Sequence, residues 1–389
     1  MKIQGINSSA NQAGLNFKSV YVTTSTKNNG DYIENEVIRP FKRNFQKSIE
    51  KKEECRDFNK VKKNTNFYVL AAGKGKRFME LSETQGKKVN KISFAIPLEN
   101  GRNFHMLDIA MAMSVPFADE KGLIRKNAAV ARGSFAEVID DAQKLREAGK
   151  PQKNVVVCCG DNMFHTDKPF ELNYFVKDVI EDPTKQMGLV GVERNPRDVV
   201  NKFGVLNVIP TEKDDIMKLA GFVEKPKTLD IARKFETPQG KCIANTGMFV
   251  IKADAMEWLL DELEEDPMFI AKDKDEPYDF AAACTKVQAK YGANKCDVKL
   301  VETWEDAGEP EALYRSIEAY QDGKFLTNFA EKDRVLIQNS MVKVFDGKTL
   351  LASQAALKTF GYPDSDFPKY PGADINHRIT NIDGVDIIV

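Results

Sequence analysis

A short apolar run that opens into a glycine-rich loop is the sequence feature that most restricts the fold of this chain. Residues 67–77 read FYVLAAGKGKR, and the β-forming residues at the start predict a buried strand. Gly73 and Gly75 would let the backbone approach a phosphate closely, and Arg77 adds a rigid positive group suited to phosphate oxygens. A dinucleotide fingerprint is excluded because Phe78 stands where it needs glycine, and no P-loop spacing is present. The loop therefore predicts a phosphate site of another kind, with an ordinary turn as the alternative.

Strand and helix patterns alternate from residue 64 onward. Such alternation predicts an α/β sheet layered by helices. Open sheets of this class bind ligands outside the carboxyl ends of their strands. The predicted strands are 67–72, 154–159, 187–192, 203–209, 246–251 and 297–303, and the predicted helices are 134–148, 253–265, 277–290 and 309–321.

Both ends of the chain differ from this central part. Residues 1–40 are polar and are predicted to be disordered. Residues 41–63 are densely charged, which predicts a solvated helix, with a basic arm for an acidic partner as the alternative. Residues 326–389 change to short polar segments that end in an apolar run, as in a small module or a docking strand. We therefore predict an N-terminal extension over 1–63, a central domain over 64–325 and a C-terminal appendage over 326–389.

Composition excludes several classes of function. The 57 basic and 58 acidic residues nearly balance, whereas a dedicated nucleic-acid binder would carry a basic excess. Six cysteines without C-x-x-C spacing and only three histidines disfavour a zinc site and a disulfide framework, and reduced thiols predict a cytoplasmic protein. The first residues lack an apolar core segment, so no signal peptide is predicted, and no apolar run reaches the length expected of a membrane span.

Two aspartates are candidate metal ligands. Asp161 follows Gly160 directly after the predicted strand NVVVCC, and the alternative is an aspartate in an ordinary turn. Asp306 lies in the segment TWEDAG, and the alternative is a cap for the helix that opens near Glu309. Two carboxylates from distant parts of a sequence suit a hard cation such as Mg²⁺ that is bound together with substrate phosphates.

Two further segments carry polar groups suited to a phosphorylated sugar. Glu224 and Lys225 are adjacent, so the carboxylate suits hydroxyl groups and the ammonium suits a phosphate. The alternative is an ion pair at the end of a strand that Pro226 stops. Asn245 and Thr246 stand at the start of a predicted strand and would leave space and hydrogen bonds for a sugar-sized ligand, with an ordinary loop as the alternative.

The order of these motifs along the chain resembles that of the sugar-1-phosphate nucleotidyltransferases, also called NDP-sugar pyrophosphorylases. The resemblance covers roughly residues 66–322 and implies a Rossmann-like mixed α/β sheet flanked by helices, with N- and C-terminal extensions. By this resemblance Arg77, Lys91 and Lys225 are the expected catalytic residues. The expected nucleotide-binding residues are Ala72, Gly73, Gly75 and Gly133, the expected sugar-phosphate ligands are Glu224, Lys225, Asn245 and Thr246, and the expected Mg²⁺ ligands are Asp161 and Asp306.

The sequence also departs from the family pattern. Lys76 stands where threonine is usual, and Ala72 stands where many members have glycine. Between Leu107 and Gly133 no strand is evident, and this segment, which in the family carries base-reading groups, looks shortened. Ser134-x-x-Glu137 forms a capping box that opens a helix beside the expected nucleotide site.

The resemblance implies a Mg²⁺-dependent enzyme of carbohydrate biosynthesis that transfers a nucleotidyl group from an NTP to a hexose 1-phosphate. The stretches GRNFHMLDIAM and WEDAGEPEALY look like those of ADP-glucose pyrophosphorylases, which favours glucose 1-phosphate. The alternatives are a mannose-1-phosphate guanylyltransferase, suggested by FVEKPKTLDIA and NTGMFVI, or a non-catalytic relative that binds a nucleotide or a sugar phosphate. The expected partners are the two substrates, without nucleic acid or membrane, and homo-oligomer formation is left open.

Overall fold

Strands and helices alternate along the chain in the structure, a computed structural model. The structure describes residues 20–24, 34–43, 53–72, 95–98, 100–118, 124–127, 135–166, 168, 170–265, 280–306, 312, 315, 316, 319, 328–340, 344–345, 349–351, 379–382 and 385–388. The strands are β1 (Val20–Thr24), β2 (Thr65–Leu70), β3 (Ala95–Pro97), β4 (Asn103–His105), β5 (Ile124–Asn127), β6 (Asn154–Cys159), β7 (Asn162–His165), β8 (Met187–Arg194), β9 (Val205–Pro210), β10 (Ile216–Val223), β11 (Cys242–Ile251), β12 (Cys296–Val301), β13 (Thr303–Asp306), β14 (Val344–Phe345), β15 (Thr349–Leu351), β16 (Ile379–Ile382) and β17 (Val385–Ile388). The α-helices are α1 (Arg39–Phe41), α2 (Asn59–Lys62), α3 (Met106–Ser114), α4 (Ala136–Glu147), α5 (Glu171–Glu181), α6 (Pro196–Val199), α7 (Leu229–Arg233), α8 (Ala253–Glu265), α9 (Phe280–Tyr291) and α10 (Glu331–Ser340).

Nine of these strands form one mixed sheet in the order β5–β1–β2–β6–β11–β8–β12–β10–β9. Strands β5, β1, β2 and β6 are mutually parallel, and β8 is parallel to β12. Strand β11 lies antiparallel between β6 and β8, and the hairpin of β9 and β10 completes the sheet. The first half of β11 also pairs with β9. The prediction of a mixed α/β sheet flanked by helices is confirmed.

Two apolar cores lie on the two faces of this sheet. Strand β6 shows the reason, because Val155 and Val157 pack into one core while Val156 and Cys158 pack into the other. This alternation follows from the two-residue repeat of a strand. Helices α3 and α5 cover one face, and helices α4, α8 and α9 cover the other. The strand predicted over 154–159 is therefore buried on both sides, as its unbroken β-branched run indicates.

The N-terminal part of the chain differs from its prediction. Residues Val20–Thr24, predicted to be disordered, form β1 and pair in parallel with both β2 and β5. In the charged stretch 41–63, the side chains of Phe41, Phe58 and Val61 are buried in the core. The prediction of disorder is wrong for Val20–Thr24, because a short apolar run inside a polar segment can complete a sheet that the rest of the chain builds. The prediction of a solvated face is wrong for Phe41, Phe58 and Val61.

One other expectation is corrected by the sheet. The segment between Leu107 and Gly133 contains strand β5 after all, and this strand pairs with β1 at one edge. Its sequence IRKN shows no apolar alternation, which is common in edge strands. At the C-terminal end, the side chain of Asn328 accepts a hydrogen bond from the backbone of Phe170 at 2.8 Å and donates one to the carbonyl of Ala112 at 3.2 Å. Residues just after the predicted boundary at 325 therefore pack onto the central domain.

Strands β14 to β17 form a separate four-stranded sheet in the order β14–β15–β17–β16. The apolar C-terminal run is thus not part of the nine-stranded sheet, in agreement with the interpretation of the sequence. The capping-box residue Ser134 and most of the helix predicted over 309–321 lie outside the described residues.

Candidate functional site

The carboxyl ends of β2 and β6 lie side by side at one edge of the sheet. Leu70 stands opposite Cys159 in the parallel ladder, and the backbone N–H of Gly160 donates to the Leu70 carbonyl at 2.8 Å. Half-buried Ala72 leads from β2 into the glycine loop, and half-buried Asp161 follows β6. The other residues predicted for the nucleotide lie outside the described residues, namely Gly73, Gly75, Arg77, Lys91 and Gly133.

The chain segments that carry the two predicted metal carboxylates pair at this edge. Strand β7 begins directly after Asp161, and strand β13 ends at Asp306. The two strands pair antiparallel, with Asn162 opposite Asp306. Asp306 therefore lies across the ladder from the immediate neighbour of Asp161, although the two are far apart in the sequence. Burial raises the pKa of the nearby Cys158 thiol to about 12, so this group is neutral at physiological pH.

The chemistry of these donors fits Mg²⁺. Carboxylate oxygens are hard ligands, and Mg²⁺ characteristically uses one or two of them together with waters and substrate phosphates. Within the described residues, no group of three or more His, Cys, Asp or Glu side chains could hold a metal. Asp161 and Asp306 would accordingly hold the ion together with waters and substrate phosphate oxygens, as is usual for Mg²⁺.

A buried hydrogen bond links strand β13, which ends at Asp306, to strand β7, which begins after Asp161. The indole N–H of Trp304 donates to Asn162 Oδ1 at 3.1 Å, and the Asn162 amide donates to Cys158 Sγ at 3.9 Å. The guanidinium of Arg194 donates to the Trp304 carbonyl, and burial lowers the pKa of this guanidinium from its ordinary value. The sequence interpretation assigned no role to Asn162 or Arg194. The position of Asn162 directly after Asp161 was the available clue.

Glu224 and Lys225 form an exposed ion pair after β10. The Lys225 ammonium lies 3.2 Å from Glu224 Oε1. Lys225 adopts a left-handed backbone conformation (φ 43°), and the carbonyl of Pro226 accepts a hydrogen bond from the backbone N–H of Asn201 at 3.0 Å. The backbone around Lys225 therefore has a defined conformation, and it exposes the Lys225 ammonium and the Glu224 carboxylate to solvent next to each other.

A bulge in β11 links this ion pair to the edge that carries Asp161. The ladder between β11 and β8 shifts register between Asn245 and Phe249. On one side of the bulge, the backbone N–H of Asn245 donates to the carbonyl of Gly204, a residue that also lies against Glu224. On the other side, the thiol of Cys159 donates to the carbonyl of Gly247 at 3.7 Å.

The bulge residues have internal partners. Asn245 Oδ1 accepts from the backbone N–H of Gly247 at 3.1 Å, and the buried Thr246 hydroxyl donates to the Val190 carbonyl at 2.9 Å. Gly247 has φ 76°, and a Cβ atom there would lie 2.9 Å from Cys159 Sγ, so glycine is required. Thr246 thus stabilises the bulge, and the sugar-binding roles of Asn245 and Thr246 stay predictions.

The structure therefore connects the segments that carry most of the predicted residues it describes. Asn162, the residue after Asp161, stands opposite Asp306. Gly204 lies against Glu224 and accepts a hydrogen bond from Asn245, and Gly247 in the same bulge of β11 contacts Cys159. Such an edge offers two hard anionic ligands, one exposed ammonium and one exposed carboxylate. This set of groups suits a cation, a phosphate and hydroxyl groups.

Comparison with known proteins gives one family match. The family model described as nucleotidyl transferase matches residues 101–323, which is more than half of the chain. Ala72, Gly73, Gly75, Arg77 and Lys91 precede the matched range. No curated protein matches the chain.

Several solved structures show weak similarity. A mannose-1-phosphate geranyltransferase from Thermus thermophilus is 16% identical, with a TM-score of 0.46, over 74% of this chain and 84% of that chain. A UDP-glucose pyrophosphorylase complexed with UDP-glucose is 13% identical, with a TM-score of 0.43, over 79% and 99% of the two chains. An apo UDP-glucose pyrophosphorylase is 14% identical, with a TM-score of 0.41, over 79% and 100%.

Proposed function

Because this chain belongs to the nucleotidyl transferase family, we propose that it transfers a nucleotidyl group from an NTP to a hexose 1-phosphate and releases pyrophosphate. A phosphate oxygen of the hexose 1-phosphate attacks the α-phosphorus of the NTP in line. The new bond joins that oxygen to the α-phosphorus, and the bond to the bridging oxygen breaks, so that pyrophosphate leaves with the electron pair. The nucleophile is already an anion, so the reaction does not require a strong general base.

The pairing of β7 with β13 is the observation that supports this proposal most directly. It brings the Asp161 and Asp306 segments together beside the carboxyl end of β2, where the glycine loop begins. We propose that these carboxylates hold Mg²⁺. When bound, this ion would supply positive charge to the phosphate oxygens as negative charge develops.

The remaining groups act by positioning and charge neutralisation, which supply most of the rate in phosphoryl-group chemistry. We assign the phosphate of the hexose 1-phosphate to Lys225 and its hydroxyl groups to Glu224 and Asn245. The exposed Lys225 ammonium lies beside Glu224, which supports a ligand that presents both an anion and hydroxyl groups. Arg77 and Lys91, together with the backbone of the glycine loop, would hold the NTP phosphates.

For the substrates we propose glucose 1-phosphate and ATP, on the resemblance of the segments around residues 101–111 and 304–314. Mannose 1-phosphate with GTP is the alternative pair. The six cysteines form no disulfide, which supports our proposal that the enzyme works in the cytoplasm. Within the described residues, no helix has the length and apolar character that a membrane crossing needs.

A pyrophosphate-release assay tests the proposal. The purified full-length chain is incubated with Mg²⁺ and each combination of four NTPs and several hexose 1-phosphates, with Asp161→Asn as the control for contaminating activity. We expect release that needs both substrates and is fastest with ATP and glucose 1-phosphate. Binding of a nucleotide or a sugar phosphate without turnover in any combination would favour the non-catalytic alternative and refute the proposal.

A further inference from the structure

Trp304 joins the strand that ends at Asp306 to the strand that begins directly after Asp161. Its side chain is 3% exposed, and its indole N–H donates to Asn162 Oδ1 at 3.1 Å. Asn162 follows Asp161 in sequence and stands opposite Asp306 in the ladder. One side-chain hydrogen bond therefore connects the residue next to one carboxylate with a residue on the strand of the other.

The tryptophan itself is fixed from outside the two strands. The Arg194 guanidinium, at the end of β8, donates to the Trp304 carbonyl, and its carbon lies 5.8 Å from the ring centroid. Arg194 also lies 3.7 Å from Glu305, and the ring of Phe203 packs edge-on against the indole at a centroid distance of 5.2 Å. Strand β13 is thus anchored to the main sheet through the residues just before Asp306.

The β7–β13 ladder needs such an anchor. The two strands form a two-stranded sheet of four residues each, and an isolated pair of this kind is marginal in water. A one-residue slip would move Asp306 to the other face of the pair. A cross-strand side-chain bond at a buried position favours one register, because a slip would leave the indole N–H and the Asn162 oxygen unpaired.

We propose that Trp304 is a positioning residue for the divalent cation: its indole N–H, acting through Asn162, sets the separation of the Asp161 and Asp306 carboxylates. This inference rests on the proposed function, since it takes these two carboxylates as the metal ligands. A purely apolar role for Trp304 would require only the ring, which phenylalanine largely retains, whereas this role requires the N–H donor.

Mn²⁺ binding measured by electron paramagnetic resonance tests the inference without any need for turnover. Removing a group that is hydrogen-bonded to a metal ligand commonly costs 10–100-fold in affinity. Trp304 acts one residue further away, through Asn162, so we expect Trp304→Phe to weaken Mn²⁺ binding by about 10-fold, the low end of that range. Trp258→Phe is the matched control, because it makes the same chemical change at the second of the two tryptophans, which packs against Tyr291 away from these strands. Asp161→Asn is expected to abolish binding.

A second variant tests the same bond from its other end. Asn162→Leu removes the acceptor and keeps the number and branching of the heavy side-chain atoms, and we expect the double variant with Trp304→Phe to bind Mn²⁺ no more weakly than the weaker single variant. Circular dichroism identifies any variant that fails to fold. If one of the two single variants fails to fold, the Mn²⁺ affinity of the other one tests the inference. Wild-type affinity in a folded Trp304→Phe protein, multiplicative effects in the double variant, or no Mn²⁺ binding by the wild type would each overturn the inference.

These outcomes are separate from those of the proposed function. If the wild type releases no pyrophosphate but Mn²⁺ affinity falls in Trp304→Phe and not in Trp258→Phe, the positioning role stands and the proposed reaction fails. If Trp304→Phe slows pyrophosphate release with unchanged Mn²⁺ affinity, the reaction stands and the positioning role is refuted.

Discussion

Gly204→Ala would displace the carboxylate of Glu224 without changing Glu224 itself. A Cβ atom built on Gly204 lies 2.8 Å from Glu224 Oε2 and 2.5 Å from Phe222 Cζ. Ordinary van der Waals contact begins at 3.4 Å, so the carboxylate must move by about 0.6 Å and the ring by about 0.9 Å. Gly204 cannot easily move instead, because its carbonyl accepts the backbone N–H of Asn245 at 2.8 Å.

The size of the effect follows from this displacement. A misplacement of about 1 Å in a substrate-positioning group can cost roughly 100-fold. The smaller shift of Glu224 therefore predicts a rise in KM for the hexose 1-phosphate of about 10-fold. The NTP is assigned to other residues, so its KM should change by less than about twofold. Overpacking against Phe222 should also lower the free energy of unfolding by about 1–2 kcal/mol. This lies in the lower part of the usual range of costs for overpacking, because the added methyl contacts only the tip of the ring.

Steady-state kinetics and thermal unfolding check this prediction together. Gly221→Ala is the matched control, because it lies on the same hairpin and its added methyl would meet only Asn207 atoms at 3.7 and 3.9 Å. We expect the control to retain the wild-type KM for both substrates. If Gly204→Ala folds, and its KM for the hexose 1-phosphate equals that of Gly221→Ala, then Glu224 does not contact the sugar and our assignment is wrong.

Three further predictions concern charged groups. Asp161→Asn and Asp306→Asn should each lower turnover at least ~100-fold, the scale of removing a principal electrostatic stabiliser, and activity within a few-fold of wild type would refute the metal assignment. Lys225→Ala should raise KM for the hexose 1-phosphate and leave that for the NTP nearly unchanged; the reverse pattern would place Lys225 on the nucleotide side. A hydrogen bond from Lys299 is the main reason that the pKa of the Asp215 carboxyl is lowered in the folded protein. This pair therefore stabilises the fold at pH values above the unfolded pKa of about 3.9. The stabilisation is lost as the pH falls through the lower pKa of the folded state. Asp215→Asn should therefore reduce the free energy of unfolding at neutral pH by at most about 1 kcal/mol, since Asp215 is exposed. Urea titrations would contradict this if the free energies of unfolding of variant and wild type differed equally at ~pH 7 and ~pH 2.

Much of the sheet was predictable because its strands carry local patterns. The run NVVVCC predicted β6 to the residue, and MGLVGV predicted most of β8. Strand β5 could not be predicted in this way, because IRKN has no apolar alternation. The run VYVTT of β1 does carry β-forming residues, but it is short and lies in a polar segment that is predicted to be disordered. These two strands pair with each other at the edge of the sheet, and such pairing depends on strands that the rest of the chain supplies.

The sequence by itself determined the chemical inventory of the site: two aspartates after strands, an adjacent glutamate and lysine, and a polar segment that enters a strand. Each is a local feature, because the residue types and their flanking strands are read from a few neighbouring positions. Only the tertiary structure decided that Asn162 stands opposite Asp306, that Trp304 reaches Asn162, and that the Thr246 hydroxyl is used inside the sheet. These contacts join residues far apart in the chain, and they are selected by the packing of the whole sheet, which no local pattern encodes.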